Sequence, residues 1–256
     1  MTIDTRNKTI LAGISVTVSL IAVFLFAVVL MYRHGPVGTR LTAVLASLAG
    51  ELLFSISAMI VLYFSFRKTK SPEIFFFIIF LISMSFDSLK ASFELIRILD
   101  LPPYYGVLIT RAVYFGRFLG TLAILAGGLF SLGAEYQRME IYLGVAFLLA
   151  FTLAAAVTVD MTQPEPYLLY NMGNVRELGI VSTLFLSFGV FNFVLYAIQN
   201  SSRDHLLIAG GLALVIAGRE ILFFVQNPIV LGVAFLLLVS GTTLFGERTH
   251  VVRLWS

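Results

Sequence analysis

The chain has 256 residues, of which 59% are hydrophobic and only 12% charged, against about 25% charged in soluble domains. A water-soluble fold of this composition would expose large apolar patches, so a soluble globular protein is excluded and lipid is required as the solvent. The net charge of +3 makes no basic footprint for nucleic acid, and the lack of cysteine removes disulfides, thiol catalysis and Cys-ligated metal centres.

A helix needs roughly 20 apolar residues to cross the hydrocarbon core. The first such run, 9–32, follows Arg6 and Lys8. It is too long for a signal-peptide core and lacks a small-x-small cleavage site, so it reads as an uncleaved first span. Further spans are predicted at 41–66, 74–98, 104–133, 141–159 and 178–199. The apolar stretch 206–245 would make about 60 Å of helix, twice the bilayer core. The chain must therefore turn, and Asn227-Pro228 is the place, because proline biases the preceding residue away from helix. The result is a seventh span at 206–226 and an eighth at 229–245. The eighth is short, and a re-entrant hairpin is its alternative. The fold class is an all-α polytopic membrane bundle of about eight transmembrane helices, a single domain over 1–256.

Eight crossings place both termini on one side. Its segments hold Arg6, Lys8, Arg67, Lys68, Lys70, Arg138, Arg203, Arg248 and Arg253; the opposite side holds Arg33, Arg40 and Arg176, with Arg97 at its rim. The basic excess makes the first side cytoplasmic, in a cytoplasmic or plasma membrane. The longest loop, Met161 to Glu177, is external and contains Pro164, Pro166, Tyr167 and Tyr170. It is either an ordinary connector with interfacial tyrosines or a lid over an outward-facing cavity.

The informative residues are the ionisable ones inside the spans: Glu51, Asp87, Lys90, Glu94, Arg111, Arg117, Arg219 and Glu220. A charge at mid-bilayer costs roughly 2.5–3.5 kcal/mol on insertion scales, so these groups must face one another or water. Their signs balance. At 100° per residue, Asp87, Lys90, Glu94 and Arg97 fall within about 80° of arc, a stripe of alternating sign along the third helix. Each of the eight lies between mid-bilayer and the outer face. They describe a polar site built by the second, third, fourth and seventh helices, where Asp87 or Glu94 should meet Arg111, Arg117 or Arg219. Tyr114, one turn from Arg111 and Arg117, lines the same site or simply packs. Intramembrane ionisable residues suggest a binding site or ion path; a salt-bridge network that only fixes helix packing would use the same residues.

Other features concern packing. Gly116/Gly120, Ala146/Ala150/Ala154 and Ala209/Ala213/Ala217 are small-xxx-small pairs that let helices approach. Phe75-Phe76-Phe77 reads as lipid-facing or core, while Tyr32 and Trp255 fit interfacial anchoring. An offset of 126 residues aligns Glu51-Leu52 with Glu177-Leu178, and Ala91, Glu94 and Pro102 with Ala217, Glu220 and Pro228. That is a weak sign of a 4+4 parallel repeat.

His34, His205 and His250 lie in loops or the tail, and no span holds a His pair or H-E-x-x-H. There is no G-x-S-x-G, Walker or Rossmann motif. Lys90, the only intramembrane lysine, is on the third helix and fits a retinal Schiff base poorly. No catalytic set, metal or cofactor is expected. Three functions remain. Small-solute or ion transport accounts for the charges and the repeat. A sensor would bind an extracytoplasmic ligand, although the eleven residues after Phe245 are too few for an output domain unless the chain is a fragment or a partner carries the signal. An enzyme acting on a lipid-linked substrate comes third. The expected partners are the bilayer, a small-molecule or ion ligand, and a protein partner or second copy. The basic groups would suit an anion, but the acids cancel them.

Overall fold

The computed structural model describes residues 1–35, 38–69, 71–165, 168–173, 175–225 and 227–254. Lys70, Pro166, Tyr167 and Trp255 lie outside the described residues, as do the side chains of Arg40, Pro164, Arg176 and Arg253.

The helices are α1 (Ile3–His34), α2 (Thr39–Phe66), α3 (Pro72–Met84), α4 (Leu89–Ile98), α5 (Pro103–Ser131), α6 (Met139–Ala156), α7 (Val175–Gln199), α8 (Arg203–Phe224) and α9 (Pro228–Leu254). A 3-10 turn, Ser85–Ser88, joins α3 to α4, and the two together form the third span. Among the described residues, eight helical stretches are long and apolar enough to cross a membrane. The protein is an integral, multi-pass membrane protein. The last apolar stretch runs from Ile229 to Val252, 24 residues, which is a full crossing rather than a re-entrant hairpin. The helix continues past Phe245 because Glu247 and Arg248 sit at its polar end, where the apolar pattern stops but the backbone hydrogen bonding does not.

Contacts at one end of the bundle gather the segments expected on one side. The Arg6 guanidinium donates to the carbonyls of Phe66 and Arg67, each at 3.0 Å, and to that of Thr69. The N-terminal ammonium lies 3.7 Å from Glu140, and Arg248 pairs with Asp204 at 3.1 Å. These tie the start of α1 to the end of α2, the N-terminus to α6, and the end of α9 to the start of α8.

The third and fourth spans form the core. They are buried over 89% and 83% of their most apolar stretch, against 22–50% for the other six. The third span begins cleanly. The Ser71 hydroxyl accepts from the Ile74 N–H, Pro72 occupies the first turn and Glu73 faces the positive helix end. A helix that is apolar all round is buried all round, and Phe75, Phe76, Phe77 and Phe80 are all core. Phe76 stacks on Phe130 at 5.4 Å and Phe77 on Phe245 at 4.4 Å.

Small residues set the closest approaches, in part where expected. A Cβ at Gly116 would lie 2.5 Å from Phe86 Cβ and 2.8 Å from the Ser83 carbonyl. Ala146, Ala150 and Ala154 are all buried. The alanine pattern on α8 is corrected: only Ala209 is buried, and Ala213 and Ala217 are exposed. The seam with α9 runs instead through Gly211, Val215 and Gly218, with Gly211 against the Gly241 carbonyl. The 126-residue offset matches the third and fourth spans to the seventh and eighth, which are only 50% and 33% buried. The third span is interrupted, whereas α8 is continuous.

The long loop is a β-hairpin of β1 (Val159–Glu165) and β2 (Leu169–Met172). Leu169 and Met172 are buried. The Tyr170 N–H donates to Thr110 Oγ1 at 3.2 Å, and its ring meets Phe93 edge-on at 4.9 Å. The hairpin is thus pinned over the α4–α5 end of the bundle.

Candidate intramembrane site

The site begins with the break in the third span. Serines crowd it, and their hydroxyls bond to carbonyls one turn back: Ser83 to Phe80 at 2.6 Å and Ser88 to Ser85 at 2.7 Å. Thr17 of α1 and Ser85 share a hydroxyl bond of 3.2 Å. Hydroxyls that compete for backbone carbonyls bend helices, and short 3-10 stretches inside a helix often mark functional positions. Asp87 sits in this turn, 1% exposed.

From α4 come Lys90 and Glu94, both buried, while Arg97 at the rim is exposed. The Lys90 ammonium donates to the Phe223 carbonyl at 3.2 Å and sits 3.6 Å from the centre of that ring. Glu94 pairs along its own helix with Arg97 at 3.4 Å. From α2 comes Glu51, buried, with its carboxyl in contact with that of Asp87. From α5 comes Arg117, ion-paired and hydrogen-bonded to Glu220 of α8. The Arg117 guanidinium also covers the Phe223 and Phe224 rings at 4.3 and 4.6 Å. Arg219 of α8 is buried between Gly120 and the Phe80 ring, 4.9 Å from its centre. Its Nε and Nη2 have no hydrogen-bond partner. Tyr114 packs edge-on against Phe223 at 6.0 Å and so borders the cluster.

Glu51, Asp87, Lys90, Arg117, Arg219 and Glu220, six of the eight expected charges, therefore share one layer, and Tyr114 adjoins it, whereas Glu94 pairs with Arg97 at the rim. Arg111 stands apart. Six residues before Arg117, it projects about 120° round the helix; it is half-buried and makes no ion pair within 4.0 Å among the described residues. The expected pairing is also corrected. Among the described residues neither Asp87 nor Glu94 pairs within 4.0 Å with an arginine of another helix; the inter-helix ion pair seen in this layer is Arg117–Glu220. Asp87, held in the 3-10 turn, faces the Glu51 carboxyl and reaches Arg219 only through longer-range electrostatics. Sequence reasoning also missed the aromatic lining. Phe223 and Phe224 follow Arg219-Glu220 by one helical turn, a spacing that places rings beside charges.

A cavity of about 830 Å³ lies elsewhere. It is a groove between α2 and α9 in the opposite half of the bundle, and none of the charged-layer residues lines it. Among the described residues no three His, Asp or Glu side chains converge as a metal site. Comparison with known protein families and with curated proteins gives no match.

Proposed function

We propose that this protein transports a small solute or ion, using the charged layer at the break in the third span as its binding site. One observation carries the reading: the most buried charges of the layer are not satisfied by the protein. Asp87 at 1% and Arg219 at 2% exposure keep oxygens and N–H groups without hydrogen bonds. A network that served only packing would satisfy its own donors, because an unpaired buried polar group costs about 1–3 kcal/mol and more when charged. A ligand or ion that supplies the missing partners gives these groups a use. Interrupted helices near the midplane are also where transporters hold their substrates.

A second reading, a sensor, is favoured by the hairpin pinned over α4 and α5, which would carry a change at the layer to the membrane surface. Both are tested in proteoliposomes challenged with gradients of acetate, phosphate, glutamate, arginine and potassium while current is recorded. Transport gives a current with at least one probe that is lost in Arg117→Gln and Glu220→Gln. A probe that raises the melting temperature of the purified protein but gives no flux supports the sensor. No response of either kind to any probe refutes both.

A further inference from the structure

Apart from its ion pairs, the layer holds two acids that face each other. The Glu51 and Asp87 carboxyls interact directly with each other, at 3% and 1% exposure. Among the described residues no N–H or O–H donates to either Asp87 oxygen or to Oε1 of Glu51. Two carboxylates repel at this range unless a positive charge is shared between them.

Among the described residues no cation pairs closely with either acid. Lys90 and Arg219 lie within electrostatic range of both acids. Lys90 spends its ammonium on the Phe223 carbonyl and ring, and Arg219 lies against Phe80. Arg117 is engaged by Glu220, and Glu94 by Arg97. From α1, Thr17 reaches only the Ser85 hydroxyl. One turn along α2 from Glu51, on the same face, Ser55 is fully buried with its hydroxyl unpartnered. Two carboxyls, an unpartnered hydroxyl one turn along α2 and the tightened backbone of the 3-10 turn thus stand beside Lys90 and Arg219. Two acids without a third acid or histidine suit a single positive charge better than a divalent metal, which takes six or more oxygens.

We propose that Glu51 and Asp87 form an exchangeable site for one monovalent cation, a proton or sodium, which is the coupling ion of the transport reading on which this inference rests. In the proton case, H⁺ from water adds to an oxygen of one carboxylate, and the other carboxylate accepts the hydrogen bond. Release returns H⁺ to water, and no other bond changes. In the sodium case, both carboxylates and the Ser55 hydroxyl supply oxygens. Because Asp87 belongs to the 3-10 turn, loading acts directly on the segment that joins α3 to α4.

The test needs no transport assay. Infrared difference spectra of the purified protein between acid and alkaline buffer are recorded in H₂O and D₂O, and melting is followed in sodium chloride against choline chloride. The proton case gives a carbonyl band of a protonated carboxyl that shifts in D₂O and is lost in both Glu51→Gln and Asp87→Asn. The sodium case gives a saturable rise in melting temperature with sodium alone, lost in the same variants. Absence of both signals from the wild type overturns the proposal, and so does survival of a signal in both variants. If one variant does not fold, the other removes the same pair. Liposome currents without either signal refute the ion site alone, whereas a signal without currents refutes transport and leaves the ion site.

Discussion

Adding a single methyl group at three glycines tests the packing that holds the charged layer. At Gly116 a Cβ would meet Phe86 Cβ at 2.5 Å and the Ser83 carbonyl at 2.8 Å. Neither obstacle can swing aside, because one is the root of a side chain and the other is backbone. At Gly120 it would meet Ser83 Oγ at 2.2 Å and Arg219 Nη1 at 2.3 Å. These are side-chain ends, but Arg219 is fully buried and has little room to retreat. At Gly144, in the exposed middle of α6, it meets nothing within 4 Å. Membrane helices associate largely by van der Waals packing, so a clash is not offset by extra hydrophobic burial. Overpacking costs typically 1–3 kcal/mol, and Gly116→Ala belongs at about the upper end, with Gly120→Ala somewhat below it. Gly144→Ala should be neutral or stabilising by about 0.5–1 kcal/mol through helix propensity. At roughly 2–4 °C per kcal/mol for a chain of this size, thermal melts in detergent should separate the three. Ser83→Ala removes one of the two obstacles at Gly120, so the double variant with Gly120→Ala should recover part of the loss. A Gly116→Ala protein that melts with the wild type would refute the close approach of α5 to the third span.

At the opposite end, Arg6→Ala should lower the melting temperature, because Arg6 caps the last carbonyls of α2 from a buried position. Charged hydrogen bonds of this kind contribute about 1.5–3 kcal/mol. Lys8→Ala, which removes only an exposed i,i+4 pair with Asp4, should leave melting unchanged. Reporter fusions at Arg138, Arg203 and after Glu247 should all read cytoplasmic; an external reading after Glu247 would refute the eighth crossing. Arg117→Gln should abolish any current carried by the wild type, whereas Arg111→Gln, which lies off the layer, should retain most of it. Equal loss in both would place Arg111 in the path and refute the separation of the two arginines drawn from the helix geometry.

The spans were legible because one property, apolar length, decides them almost alone. Where the structure departs from that reading, another force governs. The eighth helix runs past Phe245 because hydropathy marks the end of the lipid, not the end of the helix. The α8 seam lies on Gly211 and Gly218 rather than Ala213 and Ala217 because several small-residue stripes fit one helix, and only the partner α9 selects among them. The membership of the charged layer was legible for a related reason. Ionised groups in apolar spans are driven toward each other or toward the rim, and Glu51, Asp87, Lys90, Arg117, Arg219 and Glu220 converge, while Glu94 meets Arg97 and Arg111 stands apart. Who pairs with whom was not. A regular helix aims Asp87 and Glu94 along one stripe, toward the arginines of α5 and α8. Four residues of 3-10 helix interrupt that stripe, and Asp87 meets Glu51 while staying beyond ion-pair distance of Arg219. The cue stood in the sequence as Ser83, Ser85 and Ser88 around Asp87, hydroxyls that in an apolar span have few acceptors other than the backbone of their own helix. A serine cluster beside an intramembrane acid thus marks where the regular 100° step fails, and where facing residues must be assigned from packing rather than periodicity.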